Sequence, residues 1–177
     1  CHMLAATLEG LQGRDGKPMK VDDDEVLAIY QKGCELGLMN SCLEVGREFR
    51  SSDPGRAAPV LEKACAHWKA QSVVASCWNL GNLYIEAPGI KSYTKAVEAF
   101  RRGCDGRDFR SCVGLGQAYL EGQGVAQSPS RAMELFSQSC TKKSASGCFS
   151  LALLHEQGRG VAQSSGRAVE LYKQSCE

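Results

Sequence analysis

The chain carries no surplus of charge of either sign: 21 lysines and arginines face 20 aspartates and glutamates over 177 residues, a net charge of +1. With no basic excess and no lysine/arginine run, it offers no electrostatic footprint for a nucleic-acid backbone. No apolar stretch approaches the ~18 residues of a membrane span, so any membrane association would have to come through a partner. No Gly-x-Ser-x-Gly, His-Glu-x-x-His or phosphate-binding loop is present. There is no Cys-x-x-Cys, which disfavours a zinc site. Aromatic residues are few, at 7%. The chain opens at Cys1, without methionine, so a processed or partial chain is expected, with any targeting signal upstream. At ~100–200 residues per domain, the length fits one domain or one continuous array, enough to bury a core.

What the chain has in quantity is cysteine, ten in all, at 1, 34, 42, 65, 77, 104, 112, 140, 148 and 176. Cys34/Cys42, Cys104/Cys112 and Cys140/Cys148 are each eight apart, and Cys65/Cys77 are twelve apart, the same element with a four-residue insertion. The second members recur about every 35–36 residues, a repeat signature. Five units follow, about 1–41, 42–76, 77–111, 112–147 and 148–177, forming a single array over 1–177.

Aligned on the second cysteines, each unit places Leu4, Val45, Leu80, Leu115 and Leu151 three residues on. The small residues Ala5, Gly46, Gly81, Gly116 and Ala152 stand four on, and Leu8, Phe49, Tyr84, Tyr119 and His155 seven on. That spacing is one helical face, with a small residue that admits a close neighbour. Counting back from the first cysteines, Val26, Ala57, Ala96, Ala132 and Ala168 stand eight before, and Tyr30, Leu61, Phe100, Phe136 and Tyr172 four before, a second helical stripe. Between the helices, Gly122-Gln123-Gly124-Val125 and Gly158-Arg159-Gly160-Val161 supply left-handed helix ends. The expected fold is all-α: helix–turn–helix units stacked into a superhelical solenoid. Irregular segments are the long polar loop Leu11–Asp24, the short turn at Asp53-Pro54-Gly55, and Pro59, which is expected near a helix start.

Each first cysteine ends one helix and each second opens the next across a short turn, a geometry that can bring two Cα atoms within the ~4.4–6.8 Å of a disulfide. The expectation is four staples: Cys34–Cys42, Cys65–Cys77, Cys104–Cys112 and Cys140–Cys148. Buried free thiols and a metal site are the alternative readings. Cys1 and Cys176 are half-pairs unpaired within this chain. Their partners are expected upstream of residue 1 and eight residues past Cys176, which reads as truncation at both ends. As free thiols they would be candidates for exchange chemistry.

The stretch Cys112-Val113-Gly114-Leu115-Gly116-Gln117-Ala118-Tyr119-Leu120-Glu121-Gly122-Gln123-Gly124-Val125, followed by Arg131-Ala132 and an aromatic before Cys140, resembles a Sel1-like repeat. The cysteine pairs make it similar to the cysteine-rich branch of that family, which takes in Helicobacter cysteine-rich proteins and a mitochondrial cytochrome c oxidase assembly factor. Trp78, Leu80, Gly81 and Tyr84 also echo the tetratricopeptide repeat, at a different spacing. Cys1-His2, the loop containing Gly13 to Pro18, Ala87-Pro88-Gly89 and the widened Cys65/Cys77 pair resemble the mitochondrial type; the last two units equally resemble bacterial relatives. The resemblance implies a non-catalytic protein–protein scaffold within a larger complex, an assembly factor or accessory subunit of a respiratory complex in the mitochondrial intermembrane space. Its alternative is a periplasmic or secreted protein that binds or hydrolyses a β-lactam-like ligand, or a thiol-redox protein. Both settings permit disulfides.

No catalytic, cofactor or metal residues are assigned, and no cofactor is expected. His155 fills the slot of Phe49, Tyr84 and Tyr119 and reads as a packed side chain. The candidate partner contacts are His67 and Trp68, in the insertion after Cys65, and Asp22, Asp23 and Asp24, although an acidic run there also suits a helix N-terminus. The concave face and the Leu11–Asp24 loop are the expected binding surfaces.

Overall fold

The computed structural model describes residues 23–70 and 73–176. Among them are nine α-helices: α1 (Asp23–Glu35), α2 (Met39–Ser52), α3 (Pro54–Cys65), α4 (Ala75–Glu86), α5 (Tyr93–Asp105), α6 (Phe109–Glu121), α7 (Pro129–Thr141), α8 (Ala145–Gln157) and α9 (Ser165–Ser175). A 3₁₀ turn at Pro88–Ile90 precedes α5. Each helix packs on its chain neighbours and more sparsely on the helix two along. The result is a two-layered solenoid, with α2, α4, α6 and α8 in one layer (A) and α1, α3, α5, α7 and α9 in the other (B).

The periodic positions are the core. Ala57, Ala96, Ala132 and Ala168 are buried in layer B, and Val45, Leu80, Leu115 and Leu151 in layer A. The small residue four beyond each second cysteine is there to receive a ring or a leucine from the paired helix. A Cβ on Gly46 would lie 2.4 Å from Leu61, one on Gly81 2.4 Å from Phe100, and one on Gly116 2.5 Å from Phe136. Ala152 is tolerated in the last unit because Tyr172 turns aside. Its ring packs on Phe149, with centroids 5.5 Å apart, and its hydroxyl donates to Glu156.

The helix ends follow from local chemistry. Layer-B helices start behind Asp53, Ser92 and Ser164, whose side chains accept from the N–H of Arg56, Lys95 and Arg167. Pro54 is the first residue of α3, so Pro59 falls in its second turn, within the first turns that the sequence pattern suggests. Gly122 and Gly158 end α6 and α8 with φ of 68° and 67°. The glycines two further on make room for a neighbouring unit. A Cβ on Gly124 would strike the Tyr93 carbonyl and one on Gly160 would strike Pro129, at the start of the preceding layer-B helix. The first glycine of each turn therefore closes a helix, and the second docks one unit on another.

The sulfurs of Cys34 and Cys42, Cys65 and Cys77, Cys104 and Cys112, and Cys140 and Cys148 are bonded, with Cα separations of 4.6, 4.8, 4.6 and 4.4 Å. Each bond joins a layer-B helix to the layer-A helix of the next unit. The three short turns carry a left-handed middle residue: Gly37 (φ 87°), Arg107 (66°) and Lys143 (60°). Cys176, at the end of α9, is exposed and unpaired among the described residues. Cys1 and the Leu11–Asp22 part of the long loop lie outside the described residues, as does the first helix expected for unit 1.

Candidate functional site: a groove repeated along layer B

Two cavities are the same groove one unit apart. The first, about 380 Å³, lies between α1 and α3 over a floor of Val45 and Phe49, with Gln31, Arg56 and Lys63 at its walls. The second, about 330 Å³, lies between α3 and α5 over Leu80 and Tyr84, with Glu62, Lys95 and Arg102 in the equivalent places. A smaller cavity of about 160 Å³ opens on the other layer, between Asn82, Ile85 and Gln117 over Phe100.

The floor residues Phe49 and Tyr84 continue along the repeat as Tyr119 and His155, and a cation nine residues before Cys65, Cys104 and Cys140 leans over the first three rings. Arg56 sits 4.0 Å from the Phe49 ring centroid, Lys95 5.1 Å from Tyr84, and Arg131 5.4 Å from Tyr119. The third member comes from the preceding layer-B helix and differs from unit to unit. At Tyr84 it is Glu62: the Tyr84 hydroxyl donates to Glu62, and Lys95 Nζ stands 3.8 Å from the same carboxylate. Burial, reinforced by Glu62, pushes the Tyr84 phenol well above its ordinary range. At Tyr119 it is Arg101. Burial alone would raise this phenol, but the hydrogen bond from Arg131 (Nη1, 3.2 Å) and the nearby charges of Arg131 and Arg101 outweigh it and the net shift is downward. Adjacent tyrosines in one groove are thus shifted in opposite directions. His155, at the end of the row, is half-buried, and its Nδ1 is buried without a hydrogen-bond partner.

Of the residues singled out from the sequence as partner contacts, His67 and Trp68 lie elsewhere. His67 is exposed on the turn after α3, with Nδ1 3.0 Å from the Lys63 carbonyl. Trp68 is half-buried against the core, and its carbonyl sits 3.0 Å from where a Cβ on Gly106 would be, which ties it to the next turn. Asp22 is outside the described residues; Asp23 and Asp24 occupy the first turn of α1. The sequence reading missed the groove walls. The recurring Arg56, Lys95, Arg131 and Arg167 were a visible signal, whereas Glu62 and Arg101 share a position but not a charge. Among the described residues, no cluster of His, Cys, Asp and Glu could hold a metal ion. No helix among them is long and apolar enough to cross a membrane.

No curated protein matches the chain. Among solved structures, a Sel1 repeat protein from Oxalobacter formigenes superposes with a TM-score of 0.83 at 21% identity, over 98% of this chain and 70% of that one. A protective antigen of uropathogenic Escherichia coli gives 0.81 at 19% identity over 98% of this chain, which spans only 37% of the antigen's length. Both show the fold. Helicobacter pylori cysteine rich protein B gives 0.55 at 25% identity, over 71% of this chain and 91% of that one. The Sel1 repeat profile matches residues 74–108, 110–144 and 145–177, more than half of the sequence, and the chain belongs to the Sel1 repeat family.

Proposed function

We propose that this chain is a non-catalytic scaffold of an oxidising, extracytoplasmic compartment that holds an extended segment of a partner protein along the layer-B groove. The observation that carries this reading is the recurrence of one groove, with the same positions at its floor and walls, in successive units. An extended segment would meet the same kind of site at each repeat. Sel1 repeats generally mediate protein–protein interaction, which supports the reading. Four disulfides suit an oxidising compartment.

Two settings fit. Likeness to the H. pylori cysteine-rich protein over 91% of its length favours the periplasm or secretion. Assembly of a respiratory complex in the mitochondrial intermembrane space rests on the sequence resemblance of Cys1-His2, the loop around Gly13 to Pro18 and the widened Cys65/Cys77 pair. Fractionation of the source cells separates the two. Native electrophoresis of gently solubilised material tests the scaffold itself. A large, reproducible assembly is expected; migration at the mass of one chain would overturn the scaffold and revive a ligand-binding or thiol-redox role.

A further inference from the structure

We propose that the surface at Tyr119, one unit along from the Tyr84 cavity and flanked by Arg101 and Arg131, is a carboxylate subsite that selects an aspartate or glutamate side chain on the bound segment. This rests on the scaffold reading above and adds the chemistry of its ligand. The preceding unit supplies the template. There the Tyr84 hydroxyl donates to the Glu62 carboxylate, and Lys95 approaches the same oxygen at 3.8 Å. One unit on, Tyr119 and Arg131 repeat the phenol and the cation, but the position of Glu62 is held by Arg101. The acceptor has been exchanged for a further donor.

Hydrogen-bond accounting at Tyr119 points the same way. Its oxygen accepts from Arg131 at 3.2 Å, Arg101 stands near enough to favour the phenolate, and no acceptor among the described residues takes its proton. Arg131 pairs with no carboxylate among the described residues. The equivalent cations of the neighbouring units are paired: Lys95 with Glu62 at 3.8 Å and Arg167 with Glu170 at 2.8 Å. Arg101 has one carboxylate, Glu98 at 3.4 Å, which is shared with Arg102 at 3.1 Å. The Tyr119 phenol and Arg131 thus meet beside Arg101, which holds the repeat position of the Glu62 carboxylate, and a guanidinium fork is suited to a carboxylate there. The wall positions that are charged over Tyr84, namely Glu62, Lys95, Glu98 and Arg102, balance. Their counterparts over Tyr119, namely Arg101, Arg131, Glu134 and Gln138, leave one positive charge. A singly charged carboxylate matches it better than a dianionic phosphate.

The test is selection of a phage-displayed random dodecapeptide library on the oxidised chain, followed by fluorescence anisotropy with the enriched peptides. Enriched peptides are expected to carry an acidic residue whose exchange for its amide weakens binding about tenfold. Arg131→Gln should cost as much. Arg101→Glu, which copies the Glu62 arrangement, should abolish binding, and Arg131→Lys should keep an intermediate affinity. Arg167→Gln, the same charge change at a paired site, should leave affinity within twofold. Enriched peptides without acidic residues, or binding unmoved by Arg131→Gln and Arg101→Glu, would overturn the subsite and leave the scaffold standing. Equal loss in Arg167→Gln would reduce the effect to general charge attraction and overturn it too. No enrichment of any peptide would overturn both.

Discussion

Gly81 and Tyr84, one helical turn apart on α4, show how closely each position is held. Phe100 is 1% exposed, and a methyl group on Gly81 would lie 2.4 Å from its ring. Overpacking of this kind costs about 1–3 kcal/mol. Gly81→Ala should lower stability by that amount in urea unfolding, although alanine is the better helix former. Ala152→Gly should cost about 1–2 kcal/mol, the helix-propensity difference plus the burial of one methyl group, since Ala152 is 0% exposed. The tyrosines give a second test. A raised phenol stays protonated when folded, so the stabilisation at Tyr84 is complete below the ordinary pKa of 10.0 and is lost as pH rises above it. Tyr119 is lowered from the same reference, so the folded state favours its phenolate and gains stability as pH climbs through its folded value towards 10.0. Absorbance titration at alkaline pH should show Tyr119 ionising before Tyr84, with the early phase missing from Tyr119→Phe and the late phase, to which the Glu156-bonded Tyr172 also contributes, reduced in Tyr84→Phe.

Pairs of elements are joined by disulfides and by matched small residues beside them. Gly103 faces Ser111, and in the next unit the two are exchanged: Ser139 faces Gly147. A Cβ on Gly103 would lie 2.3 Å from Ser111 Oγ, and one on Gly147 2.5 Å from Ser139 Cβ. Gly147→Ser alone should destabilise the α7–α8 hairpin, and adding Ser139→Gly should restore most of the loss; denaturation of all four variants measures the coupling. Replacing Cys104 and Cys112 by serine opens a loop of eight residues and should cost about 2–3 kcal/mol on the chain-entropy account, read as a lower midpoint in urea.

The helices of this fold were legible because alanines, aromatics and small residues recur at fixed distances from the cysteines. Recurrence is also the limit of such reading. The partners of Tyr84 and Tyr119 reach across from the preceding unit and carry opposite charges, Glu62 in one and Arg101 in the other, so no repeated pattern announced them. Gly124 and Gly160 read as turn punctuation, because their contacts with Tyr93 and Pro129 are with the neighbouring unit.

Taken whole, the molecule is a row of nearest-neighbour contacts, and stability along such a row is greatest where a unit has neighbours on both sides. Trp78 illustrates this: on α4, it lies between Arg50 on the preceding layer-A helix α2 (5.8 Å) and Arg110 on the following one, α6 (5.0 Å). At the far end, Phe149 and Val169 are 49% and 52% exposed. Amide hydrogen exchange should therefore be slowest in α4, α5 and α6 and fastest in α9. Uniform protection across the array would contradict this.

Because every disulfide crosses from one unit to the next, a chain pulled from its ends would bear load through the sulfur bridges and not through the turns between them. The segment inside each short staple, seven residues between Cys104 and Cys112 for example, is hidden slack. Tension can unravel a helix pair, as between Cys112 and Cys140, but it must stop at the next bridge. A reductant acting on the stretched protein would then release that slack in steps, on the order of 25 Å for each short staple. The array behaves as a rope with knots, whose reach is set by the redox state of its surroundings.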